Sequence, residues 1–430
     1  MYCPLWIRFR RLKARLTRPI HAIIVIMRIY RITRSACRPG TSTRRLKIGA
    51  DDPGIAEAFQ HKVSDMRVPA GMFGSASAAA KAGDQFLLNQ IADVDFVLGG
   101  GAILSVLFYL LWRTDTGFLL AATLFAVLSD MPHVLHSSAR IWLDPIEREL
   151  HGRHYLISLA VVAAVVAGLA FSGHLLLLLL IWIFWQFFHV MKQHYGMINI
   201  YAAKAGYRAG RTMVKYSLFA ACFAPFYYRL HEGMQFSDYV IFGNRLPFSN
   251  LALPSIPTPY FTVIVVYCIA GICVVAYVFE QIRLYAQNRD PLPRPAQFTY
   301  LLAVASYNAS YLLVSDLYAL ILIAATVHSL QYHVICLARN RGRAAEQASA
   351  VQRRPLQRLL EPQFVPAYFA ILFVAGAVLA NLELVLVGIV PLTVVLHHFY
   401  LDSFLWTSKR NAGLAAQLGL PRPATGGATN

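Results

Sequence analysis

From Val94 to Trp406 the chain returns to one pattern, an apolar run of about 20 residues followed by a short polar break. A helix of that length spans about 30 Å of hydrocarbon. The pattern predicts an all-α polytopic membrane protein. Composition agrees: 57% of the 430 residues are hydrophobic and 14% charged, more apolar sequence than one water-soluble core would hold.

Ten spans are expected, near 94–112, 117–136, 155–172, 175–195, 212–228, 259–281, 297–314, 317–338, 364–380 and 383–406. The fifth is the weakest, because Lys215 and the stretch from Pro225 to Arg229 shorten its apolar part. Positive charge orients the set. Segments after even-numbered spans carry Arg140, Arg148, Arg153, Lys192, Lys204, Arg208, Arg211, Arg283, Arg289, Arg294, six arginines from Arg339 to Arg358, Lys409, Arg410 and Arg422. The opposite segments carry Arg113, Arg229 and Arg245. Nineteen against three is a positive-inside signal, which predicts an inner-membrane protein with both termini cytoplasmic.

The ends of the chain differ from its middle. Residues 1–50 form a basic arm, with thirteen Lys or Arg and no acidic residue up to Lys47. It is expected to lie on anionic lipid headgroups, and Met66 and Met72 are alternative beginnings of the chain. Residues 51–90, rich in Gly, Ala, Ser and Asp toward their centre, read as a flexible linker; 91–410 as the helix bundle; and 411–430 as a disordered tail. Six scattered cysteines form no CxxC pair. The net charge of +18 does not indicate nucleic acid, because the arginine-rich stretch from Arg339 to Arg358 lacks interleaved aromatics and reads as a loop against lipid.

The histidines are the candidate chemistry. Four groups close even-numbered spans: His133 with His136, His189 with His194, His328 with His333, and His397 with His398. Charge parity puts all four at the cytoplasmic face. Histidines in a span are costly to bury and tend to face a bundle interior, so their convergence at one depth indicates a site. Asp130, His133 and His136 share a helical stripe, and Asp402 lies one turn past His398, placed to ligate beside it or to orient its ring. The members of each HxxxxH pair lie about 140° apart on an ideal helix, so both face one centre only if the helix bends, as Gly196 would permit in the first pair. His151 and His154 are expected in a solvated loop; His174, His231, His21 and His61 fall outside the cluster. Imidazole suits iron, copper, nickel or zinc better than magnesium or calcium. Eight imidazoles with Asp130 or Asp402 exceed the needs of one ion and would serve two, or one with an outer shell. Aromatic walls from Trp142, Trp185, Phe187, Phe188, Tyr195, Tyr332 and Trp406 suit an apolar substrate entering from lipid.

With HVLH at 133–136, HVMKQH at 189–194, HSLQYH at 328–333 and HHFYLD at 397–402, the chain resembles the histidine-rich integral-membrane non-haem iron desaturases and hydroxylases, and the bacterial membrane carotene oxygenases. The resemblance is one of motif style and topology. It implies cytoplasmic histidine boxes, a di-iron cofactor and O2-dependent oxidation of a lipid or isoprenoid, with electrons from a cytoplasmic donor. The chain departs from the desaturase pattern in having no HxxHH box, four groups instead of three, and ten spans, so no ligand assignment carries over. Two other classes stay open: a haem-binding membrane protein with paired axial histidines, and a transporter of metal ions or a proton-coupled solute. Neither a GxGxxG, a P-loop, an HExxH nor a GxSxG motif occurs.

Overall fold

A computed structural model describes residues 85–207, 210–237, 240–241, 244–245, 252–287, 289, 291–346, 364–385, 389–406 and 413–420. The basic arm, the linker up to residue 84 and residues 411–412 and 421–430 of the tail lie outside the described residues.

Among the described residues a long helix occupies each of the ten expected positions. They are α1 (Ile91–Trp112), α2 (residues 115–143), α3 (Pro145–Phe171), α4 (Leu175–Lys204) and α5 (Arg211–Glu232), then α6 (Phe261–Ala286), α7 (Arg294–Leu313), α8 (Leu317–Glu346), α9 (Val365–Val385) and α10 (Ile389–Leu405). Six of them, α1, α2, α3, α4, α6 and α8, are long and apolar enough to cross a membrane. The chain is a helical membrane protein. Helix α5 runs unbroken through Pro225 and is not one of the six. Two small antiparallel ribbons amend the all-helical expectation: β1 (Met234–Gln235) pairs with β4 (Ala252–Leu253), and β2 (Val240–Ile241) with β3 (Asn244–Arg245). Asp316 ties this region to α8, accepting hydrogen bonds from the Ser237 and Ala319 N–H groups.

Helix α8 is the axis of the bundle. Of its most apolar 18-residue window 94% is buried, against 11% for α3 and 17% for α6. The latter two expose ridges such as Leu156, Ile157, Val161 and Val165, or Ile264, Ile272, Val275 and Phe279, as expected where the solvent is hydrocarbon. Close approach to the axis depends on small residues. A Cβ at Gly101 would lie 3.2 Å from Val327 Cγ2, so Gly101 lets α1 seat closely on α8.

Two features differ from the sequence expectation and set the site. First, the histidines do not close their helices: α4 continues from His194 to Lys204, and α8 from His333 to Glu346. Arg339 and Arg343 therefore belong to the helix and are not loop residues against lipid; Arg339 is fully buried. Gly196 produces no break in α4. Second, α2 is α-helical over Asp115–Phe125, π-helical over Ala126–Asp130 and α-helical again over Met131–Leu143. Pro132 follows the π turn, and its missing N–H removes the donor that an α-helical register would use there. Part of the expected tail is also folded. Residues Leu414–Gln417 form one helical turn, α11, with Leu414, Gln417 and Leu418 buried against α8.

Candidate metal centre

Four helices meet at the histidine layer: α2 brings His133 and His136, α4 brings His189 and His194, α8 brings His328 and His333, and α10 brings His397, His398 and Asp402. Each of these side chains is buried. The inner set is His133, His189, His328, His398 and Asp402. Ring centroids separate His133 from His398 by 4.5 Å and from His328 by 4.7 Å, and His189 from His328 and from His398 by 5.0 Å. Donor atoms of His133, His189 and His328 lie within 4.8 Å of one another, and so do those of His189, His398 and Asp402.

Several inner ring nitrogens have no hydrogen-bond partner among the described residues. Both nitrogens of His133, Nε2 of His189, Nδ1 of His328 and Nε2 of His398 are buried without a hydrogen bond. A buried polar atom left unpaired costs about 1–3 kcal/mol, and native proteins tolerate few of them. Five of them belong to the inner set, and His136, His194 and His333 of the same layer add four more. Asp402 Oδ2 stands 3.7 Å from His398 Nε2 and 3.8 Å from His189 Nε2, too far for hydrogen bonds. Two donors held about 2.1 Å from one ion lie up to about 4.2 Å apart, so these separations fit ligands of a shared metal. Imidazoles with one carboxylate are a donor set that could hold a transition-metal ion.

The outer groups set the orientation of the inner ones. Ser137, one turn past His133, donates to Asp402 Oδ1 at 2.9 Å, and the Tyr332 hydroxyl donates to the same oxygen at 2.6 Å. With its hydrogen committed to Asp402, the Ser137 oxygen accepts from His398 Nδ1 at 3.0 Å. That bond fixes the tautomer which leaves the His398 Nε2 lone pair facing His189 and Asp402. Tyr332 also stacks edge-on against His133 at 4.8 Å, and Phe399 lies parallel to His189 at 4.5 Å. His194 donates from Nδ1 to Gln331 Oε1 at 2.9 Å, and its ring lies 6.3 Å from that of His328. The straight HxxxxH pair of α4 thus serves two positions: His189 in the inner set and His194 beside it.

Other candidates take different places. His136 and His333 pair with each other at 4.9 Å, and His136 Nδ1 bonds the Tyr368 hydroxyl at 2.8 Å. His397 turns away from the inner set and bonds Ser158 of α3 through Nε2 at 3.0 Å. Asp130 is half-buried and reaches only to 3.9 Å from His133 Nδ1. His151 pairs with Glu147, and His154 meets the Tyr400 hydroxyl, both at the exposed start of α3. Of the expected aromatic walls, Tyr332 and Trp406 belong to the site. Phe188 instead faces outward beneath Lys192, and Phe187 packs on Phe226 and Tyr307. Ser137, Gln331 and Phe399 carry roles that the sequence did not reveal.

Comparison with known protein families, with curated proteins and with solved structures gives no match to this chain.

Proposed function

We propose that the chain is a membrane-embedded, metal-dependent oxidoreductase of the desaturase, hydroxylase or oxygenase type, acting on a lipid or isoprenoid substrate. The observation that carries this reading is the convergence of five buried donors from four helices, with inner ring nitrogens that no group among the described residues satisfies. His133, His189, His328, His398 and Asp402 would hold the metal, and iron is the ion we favour. The five donors fall into two triads that share His189, too spread to surround one ion, and we propose that the layer holds a di-iron pair with further donors from the outer histidines. Bound iron supplies O2-dependent oxidation of an unactivated carbon, using electrons from a cytoplasmic donor. The protein's own part is orientation and exclusion of water: Ser137 and Tyr332 hold Asp402 and His398, and every inner side chain is buried. We further propose that all ten helices span the inner membrane with both termini cytoplasmic, a topology supported by the charge bias.

The test is elemental analysis of detergent-purified protein from iron-supplied cells, with O2 uptake on reduction. About two irons per chain are expected, with loss of iron in His328→Ala and Asp402→Asn. A metal-free wild-type protein under these conditions would overturn the reading. Metal uptake into proteoliposomes without O2 consumption would favour the transporter.

A further inference from the structure

Beyond the histidine layer, two buried guanidinium groups keep donors that no group among the described residues accepts. Arg140 on α2 is 5% exposed and Arg339 on α8 is 0% exposed. None of the three guanidinium nitrogens of Arg140 has a hydrogen-bond partner, nor has Nη2 of Arg339. The carboxylates nearby are already engaged. Glu147 accepts the Tyr155 hydroxyl at 2.7 Å and faces Arg343 at 3.7 Å, so it reaches Arg140 only as an ion pair at 3.8 Å. Asp144 pairs with Arg343 at 3.0 Å. Arg339 commits Nε to Gln417 Oε1 and Nη1 to the Leu405 carbonyl, each at 2.9 Å, and keeps Nη2 spare. Among the described residues three arginines thus share two carboxylates here.

Both guanidinium groups pack over the Trp406 ring, Arg339 at 5.2 Å and Arg140 at 5.9 Å. Trp406 also touches the histidine layer, its Nε1 donating to the Tyr332 hydroxyl at 3.4 Å. Arg140 follows His133 by two helical turns, and Arg339 follows Tyr332 by two, which is about 10 Å along each axis. Trp406 lies two turns past His398. Three chain segments therefore place a cationic, aromatic-backed group at one distance and on one side of the donors.

A guanidinium has five donors and no acceptor, and its planar fork matches a carboxylate or a phosphate. Burying it with most of those donors idle is costly unless an oxyanion completes it. We propose that Arg140 and Arg339 bind the oxyanion headgroup of an amphiphilic substrate, a carboxylate or phosphate, two helical turns from the histidine layer. The proposal rests on the oxidoreductase reading for its use and adds to it the chemical class of the substrate: a long apolar chain with an anionic head.

Binding of laurate, dodecyl phosphate, dodecanol and inorganic phosphate to the full chain in a maltoside detergent tests this by calorimetry. Laurate or dodecyl phosphate is expected to bind at least about ten-fold tighter than dodecanol, and which of the two binds tighter names the headgroup. Arg140→Gln should weaken oxyanion binding about ten- to a hundred-fold, as for loss of a charge-assisted hydrogen bond, and leave dodecanol unchanged. Arg140→Lys should recover part of the loss. Arg283→Gln, at an exposed arginine paired with Glu280, controls for net charge and should have no effect. Equal affinity for dodecanol and the tailed anions in the wild type overturns the proposal even if Arg140→Gln fails to fold. Equal losses in Arg140→Gln and Arg283→Gln, or inorganic phosphate binding as tightly as dodecyl phosphate, also overturn it. Iron measured on the same samples separates the readings. Iron without oxyanion preference defeats this proposal alone, and oxyanion preference without iron defeats the oxidoreductase alone.

Discussion

The hydroxyl of Ser137 joins the Asp402 carboxylate to Nδ1 of His398, and so governs two donors from outside the inner set. Outer partners of this kind typically change metal affinity 10- to 100-fold. Ser137→Ala is therefore expected to weaken iron binding by about that factor in a chelator competition, with an unchanged circular dichroism spectrum; affinity equal to the wild type would remove Ser137 from the centre. Two histidine variants make a sharper contrast. His328→Ala should lose iron on gel filtration, whereas His397→Ala, whose ring bonds Ser158 on the outer side, should retain it. The His398 and Asp402 pair was legible in sequence because four residues along a helix bring two side chains to one face. The role of Ser137 was not, since it depends on a helix 261 residues away. His397 stands next to His398, and only the position of α3 tells which of the two turns inward.

At the scale of elements, the docking of α11 on α8 turns on Gly342. A Cβ there would fall 1.9 Å from the Gln417 carbonyl oxygen, so Gly342→Ala must displace residues 413–420. The expected outcome is faster limited proteolysis of the C-terminal segment, together with loss of the Gln417 partner of Arg339; an unchanged cleavage rate would show that the backbone yields instead. Gly376 poses a milder case. Its Cβ position is 3.1 Å from Met131 Cβ and 3.2 Å from Pro132 Cδ, where α9 crosses the end of the π turn. Gly376→Leu should overpack that crossing and destabilise the chain by about 1–3 kcal/mol, read as a lower Tm in detergent. All ten helix positions were legible in the hydropathy pattern. Their extensions past the histidines were not, because Lys192, Arg339 and Arg343 end an apolar run on paper while their helices continue through them. The π turn was equally hidden: Pro132 marked an irregularity, but the packing around it decides which form the irregularity takes.

For the whole molecule, the charge parity makes a testable map. In a cysteine-free chain, a membrane-impermeant maleimide should label His174→Cys, between α3 and α4, from outside intact spheroplasts. It should label Gln287→Cys, after α6, only once the membrane is opened. The reverse pattern would invert the topology and place the histidine layer on the opposite face. The central burial of α8 was not readable from its composition, which resembles that of its neighbours; it follows from which helices surround it. Assembly order follows from the same architecture. The inner donors come from the second, fourth, eighth and tenth helices, and Asp402 is the last of them to leave the ribosome. A chain stalled after α8 carries three imidazoles and no carboxylate partner, and it also lacks the helix that closes the layer. On the proposed metal reading, the complete donor set forms only after α10 is made, and retention of the ion would report that the final hairpin has been inserted.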